Sequence, residues 1–188
     1  MKYSRFLLSF WLVVFLGSPA VAAYDIQKGI HGMQWGSSIS NYSDLTKVHE
    51  WGPAAYYMNS NMYYQTAEQV VPAVFYGFYK GRLFAVFIKL GSPAQFVSLE
   101  RQFTARHGQP KTTHDPAARL TVDRWKDKDI KIKLKMRESP VEYRLAIYYA
   151  PLADRLNEEQ LENIPPKVYD KTPPENEKTS KPAPLLNY

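Results

Sequence analysis

Four cations occupy every second position of one short segment: Lys131, Lys133, Lys135 and Arg137 alternate with Ile130, Ile132, Leu134 and Met136. A strand repeats every two residues. The pattern therefore sets the cations on one face, about 7 Å apart, and the apolar residues on the other. Tyr143, Leu145, Ile147 and Tyr149 alternate in the same way further along, so Arg144, with Tyr148 beside it, joins the cationic row if the two segments pair. The apolar side must face helices, which puts the cations in solvent. The chemistry open to such a row is electrostatic: a ridge for lipid headgroups, an acidic envelope polymer or an acidic protein patch. The simpler reading, which the like-charge repulsion along one strand favours, is a solvated face whose lysines guard an edge strand against pairing with other chains. Asp123, Asp127 and Asp129 lie near enough in sequence to neutralise part of its field.

A second candidate surface is aromatic. Residues 51–65 hold Trp51, Tyr56, Tyr57, Tyr63 and Tyr64 among Asn, Ser and Met, with little charge. Exposed Tyr and Trp serve as stacking platforms and interface anchors. Buried, the same residues are core.

Residues for catalysis or metal binding are sparse. The chain has no G-x-S-x-G, H-E-x-x-H, P-loop or G-x-G-x-x-G pattern. Having no cysteine, it cannot use thiol catalysis, a cysteine zinc site or c-type haem attachment. None of the four histidines pairs with another at i, i+4. His107, His114 and Asp115 come nearest to a ligand cluster, but they straddle a helix stop, where His107 is expected to cap the carbonyls of its own helix. Gly36-Ser37-Ser38 fits a helix cap better than a nucleophile. These residues imply a non-enzymatic protein without cofactor or metal. A hydrolase site assembled from residues distant in sequence is the alternative.

The amino terminus bears on compartment. Lys2 and Arg5 precede an apolar run over 6–17, and Pro19 leads into Ala20-Val21-Ala22-Ala23. This is the grammar of a cleaved secretory signal over 1–23, and its apolar run is shorter than the roughly 20 residues of a transmembrane helix. No cysteine follows it for a lipid anchor. A cysteine-free exported chain points to the bacterial periplasm, or to the exterior, and leaves no transmembrane span after cleavage. Residues 24–152 carry 17 Lys/Arg against 11 Asp/Glu, whereas residues 153–188 carry 5 against 7. A basic body with a faintly acidic tail favours anionic partners. Export, and the absence of recognition-helix or RNA-binding patterns, argue against nucleic acid.

The elements that must position these residues follow from periodicity and punctuation. Ser92-Pro93-Ala94-Gln95 is a capping signature, Phe96, Leu99 and Phe103 follow at helical spacing, and Gly108 and Pro110 end the helix. Residues 70–79 and 83–90 form a hairpin around Lys80-Gly81-Arg82; apolar on both faces, it belongs at the centre of its sheet. Strands are expected over 120–125, 130–137, 143–149 and 54–58, with helices over 38–48 and 152–161. Pro-rich, charged sequence follows over 162–188, without apolar periodicity, and reads as disordered. The expectation is one domain over 24–161: an α+β two-layer sandwich with an antiparallel sheet of five or six strands and two main helices on one face.

Three phrases carry a resemblance: Gly32-Met33-Gln34-Trp35-Gly36-Ser37-Ser38, the hairpin Phe75-Tyr76-Gly77-Phe78-Tyr79-Lys80-Gly81-Arg82-Leu83-Phe84, and the helix end Phe103-Thr104-Ala105-Arg106-His107-Gly108-Gln109-Pro110. Together they resemble small exported bacterial periplasmic domains of uncharacterised function. At the level of fold, the layout is similar to envelope adaptor domains of the outer-membrane assembly lipoprotein type. The resemblance supplies no catalytic residue; the leading expectation is a non-catalytic adaptor that contacts another envelope component, and the alternative is a binder of anionic lipid or polymer through the cationic row.

Overall fold

A computed structural model of the chain describes residues 25–66, 69–159 and 183–184. The segment read as a signal, and all of the Pro-rich tail except Ala183 and Pro184, lie outside the described residues. In chain order the elements are β1 (Gly29–Ile30), β2 (Met33–Gln34), a 3-10 turn (Ile39–Asn41), β3 (Thr46–Trp51), β4 (Ala54–Met58), β5 (Tyr64–Thr66), β6 (Gln69–Val71), β7 (Ala73–Tyr79), β8 (Arg82–Leu90), α1 (Pro93–His107), β9 (Lys111–Asp115), β10 (Leu120–Asp127), β11 (Ile130–Glu138), β12 (Val141–Tyr149), α2 (Ala150–Glu158) and β13 (Ala183–Pro184).

The sheet is built around the β7–β8 hairpin. Every residue of β7 is buried, as is nearly all of β8, and strands apolar on both faces must lie inside a sheet. Lys80 and Gly81, both at positive φ, close the hairpin with a turn that suits the twist of the strands. Around it an antiparallel sheet of eight strands runs in the order β3-β4-β7-β8-β12-β11-β10-β9. Two small sheets, β1-β2 and β13-β5-β6, flank it.

This corrects the expected α+β sandwich of five or six strands: the fold is mostly β. The outer strands escaped the reading for physical reasons. Lys111–Asp115 is exposed along its whole length and has no apolar alternation to reveal it. The helix expected over 38–48 is one 3-10 turn, capped by Ser38, and Thr46–Trp51 continues as a strand. Pro72 splits the expected strand over 70–79, leaving Gln69–Val71 to pair in a small sheet.

The helices also lie on opposite faces rather than on one. α1 buries Phe96, Leu99 and Phe103 against Val86, Ile88, Ile132, Leu134 and Leu145. α2 buries Leu152, Ala153 and Leu156 against Phe75, Phe84, Phe87 and Ala146. Val86 and Ile88 thus belong to one layer and Phe87 to the other, as strand alternation requires. Each fully buried Leu or Phe contributes about 1.5–3 kcal/mol, so either layer is a substantial core.

Two capping details hold α1 in place. The Ser92 side chain accepts from the Gln95 backbone N–H at 3.2 Å, and Gln95 Oε1 accepts from the Gly91 N–H at 2.7 Å. The helix ends at Gly108, whose φ of 81° suits glycine. α2 rests on β7, β8 and β12 and extends toward β11 through the Lys131–Asp154 ion pair. Its own face of β9, β10 and β11 therefore lies beside the helix rather than beneath it.

A candidate anion-binding face

Ladder register decides what shares a face. β11 pairs with β12 so that Lys135 meets Arg144 and Lys131 meets Tyr148. On its other side it pairs with β10, setting Lys133 against Arg124 and Lys131 against Lys126. Arg124 in turn stands across from Lys111 on β9, and Arg144 across from Lys89 on β8. The expected row of Lys131, Lys133, Lys135 and Arg137, with Arg144 beside it, is therefore part of a wider cationic field crossing five strands. Lys89, Lys111, Arg124 and Lys126 belong to it. No single segment carries their signal; it resides in the pairing of strands.

Two of the three acidic residues expected to neutralise the row turn away from it. Asp123 and Asp127 alternate to the α1 face. Asp123 is buried there and accepts from Thr112 Oγ1 at 2.5 Å, while Asp127 pairs with His107 at 3.3 Å. Two carboxylates do serve the cationic face: Glu142 pairs with Arg144, and Asp154 pairs with Lys131 at 2.5 Å.

The cations are also less exposed than a solvated row. Lys131, Lys133, Lys135 and Arg137 are all half-buried, because their aliphatic stems lie along the sheet. Burial pulls Lys135 down to about 8, helped by the like charges of Lys133, Arg144, Arg124 and Arg137. Lys133 is lowered as well, by burial first and then by Arg124 and Lys131, with Asp154 opposing. Its ammonium sits 5.1 Å from the centre of the Tyr148 ring, a cation–π contact.

At the β9 end the field is concave. Gln109, Lys111, Arg124, Lys126, Lys131 and Lys133 line a cleft of about 370 Å³ together with His107, Trp125 and Ile132 from the α1 layer. That volume lies in the range of small-molecule sites.

The aromatic segment does not form one surface. Tyr56 and Tyr64 are core residues, and the Tyr64 and Tyr76 hydroxyls bond to each other at 2.6 Å. Tyr57 packs edge-on against Phe78 at 5.2 Å between centroids. Tyr63 is half-buried, and Trp51 is exposed at the end of β3.

His107 does not cap its helix as expected. Its Nδ1 faces Asp127, its Nε2 is buried with no hydrogen-bond partner among the described residues, and burial lowers its affinity for a proton. His114 contacts Thr121 Oγ1 at 3.1 Å on the exposed β9–β10 ladder. Among the described residues no group of three His, Cys, Asp or Glu is placed to hold a metal, and no described helix is long and apolar enough to cross a membrane.

No protein-family model, curated protein or solved structure matches the chain.

Proposed function

We propose that this protein is a non-catalytic binding module of the cell envelope, that its working surface is the cationic sheet face over β9–β12, and that its partner there is anionic. The observation that carries the reading is the state of Lys133 and Lys135. Both are half-buried beside like charges, and both are held below the ordinary lysine value. Like charges at paired positions of a ladder destabilise a sheet. A bound anion reverses that penalty, because opposite charge favours the protonated amines. The export signal read over 1–23 sets the module among anionic lipids and acidic polymers. The aromatic segment, being largely core, contributes at most Trp51 and Tyr63 to a contact.

The test is sedimentation of the full chain with phosphatidylglycerol vesicles against phosphatidylcholine vesicles, at low and high salt. Binding to the anionic vesicles alone, lost as salt rises, is the expected result. Changing Lys131, Lys133 and Lys135 together to Glu abolishes it. A triple variant that binds as well as the parent, or capture of an envelope protein that survives high salt and ignores the triple change, overturns the reading.

A further inference from the structure

We propose that the cleft at the β9–β10–β11 end of the cationic face is a phosphate-cluster site, in which Lys111, Arg124, Lys126, Lys131 and Lys133 take neighbouring phosphate groups of a single molecule. The inference rests on the anion-binding reading above and narrows it to one place and one chemistry.

The register lays these five cations out as a grid. Lys111, Arg124 and Lys133 form one rank across three strands, and Lys126 with Lys131 forms a second. Neighbours within a rank stand about 5 Å apart along the backbone, and the ranks are separated by about 7 Å. Among the described residues a single carboxylate, Asp154, is paired within this group.

Charge density selects the ligand. A carboxylate brings one negative charge, whereas a phosphate monoester brings about 1.5–2 and three acceptor oxygens. Matching the grid inside about 370 Å³ with carboxylates means crowding several like-charged groups on separate carbons. Neighbouring phosphates deliver the same charge from one compact unit.

The cations are also held in advance. Arg124 Nη1 donates to Thr113 Oγ1 at 2.5 Å and to the Val122 carbonyl at 3.3 Å, which fixes the guanidinium on the face. The Tyr148 ring steadies Lys133. Side chains already ordered lose less entropy when a ligand arrives. Arg101, exposed on α1, and Lys47, exposed on β3, are cations off this face, so the molecule carries its own control.

The test is calorimetric titration of the full chain at constant ionic strength with tripolyphosphate, with tricarballylate as a three-carboxylate control, and with phosphatidic acid vesicles. The expected result is binding of tripolyphosphate at least about tenfold tighter than tricarballylate. Lys133→Gln and the exposed Lys126→Gln should each lose about tenfold, the scale of one hydrogen bond to a charged group. Arg101→Gln on α1 and Lys47→Gln on β3, both off the cationic face, should stay within about twofold. Phosphatidic acid vesicles displaced by tripolyphosphate identify a lipid headgroup as the source, and vesicles that fail to bind identify a soluble polyphosphate. Equal affinity for tricarballylate, or equal losses from Arg101→Gln and Lys133→Gln, overturns the cleft while leaving the anionic face standing. Failure of every anion to bind overturns both.

Discussion

Lys135 stands directly across the ladder from Arg144, so two cations of adjacent strands occupy one paired position on one face. Glu142 pairs with Arg144. Lys135 is left facing Lys133 and Arg137 on its own strand, Arg144 from β12 and Arg124 from β10, all of them positive. Among the described residues, the face thus keeps a half-buried charge at its centre with no ion-pair partner.

Stability should therefore rise with pH just above neutrality. Lys135 releases its proton at about 8 in the folded chain, against 10.5 ordinarily. Between those values the unfolded chain binds more protons, so raising the pH favours the fold. The gain ends near pH 10, where burial holds the Tyr56 and Tyr148 hydroxyls protonated and ionisation of the unfolded tyrosines reverses the sign. Lys135→Met should raise the melting temperature at pH 7 by about 2–4 °C, the shift expected of roughly 1 kcal/mol in a chain of this size. Scanning calorimetry at pH 7 and 9.5 should show that advantage shrink. An advantage that is constant with pH would rule out the charge explanation.

The same alternation explains what the sequence disclosed. Ile130, Ile132 and Leu134 announced a strand because one of its faces is core, and Lys131, Lys133 and Lys135 announced a charged face by the same rule. The capped helix and the doubly apolar hairpin were legible for equally local reasons. Lys111–Asp115 was not, since a polar edge strand has no hydrophobic period. Nor could spacing show that Arg124 and Lys111 extend the cationic field, because that depends on register between strands. Ser38 illustrates the opposite failure: its capping signal is real, but the helix it opens stops after one turn. The choice between one helical face and two turned on the helix expected over 152–161, because the apolar Leu152 and Leu156 that α2 buries do not name the side of the sheet they cover.

His107 should make the fold acid-sensitive. Its ring is buried beside Phe103, with Asp127 on β10 pulling its pKa up and Arg106 on its own helix pushing it down; burial is the largest effect, and the net shift is below 6.5. The unfolded chain therefore takes the proton first, and stability falls as pH drops through and below about 6.5. His107→Phe keeps a ring in the site without the titration. The fall in melting temperature between pH 7.5 and 5.5 should be smaller in the variant than in the parent. An unchanged fall would assign the acid sensitivity elsewhere.

Gly77 marks the tightest point of the central hairpin. A Cβ there would lie 2.8 Å from Phe84 Cε1 and 3.0 Å from Phe87 Cε2, two fully enclosed rings of the α2 layer. Gly77→Ala should cost about 1–3 kcal/mol by overpacking, seen as a melting temperature several degrees lower. Adding Phe84→Leu should recover part of that loss by opening room. If the double variant only adds its two costs, the rings are not what confines Gly77.

Asp154 is expected to restrain the cleft rather than to stabilise the fold. Its carboxylate holds Lys131 at 2.5 Å on the helix side; Asp154 is exposed, at 51%, and Lys131 half-buried, at 33%. Such pairs contribute about 0–1 kcal/mol, so Asp154→Asn should leave the melting temperature nearly unchanged. It should nonetheless tighten tripolyphosphate binding by about threefold to fivefold, the equivalent of up to about 1 kcal/mol. The change releases the Lys131 ammonium to the ligand and removes a negative charge from the rim. Titration calorimetry on the parent and the variant, at one salt concentration, measures the difference. Weaker binding in Asp154→Asn would mean that the carboxylate serves the site by positioning Lys131, and equal binding would place the anion away from Lys131 altogether.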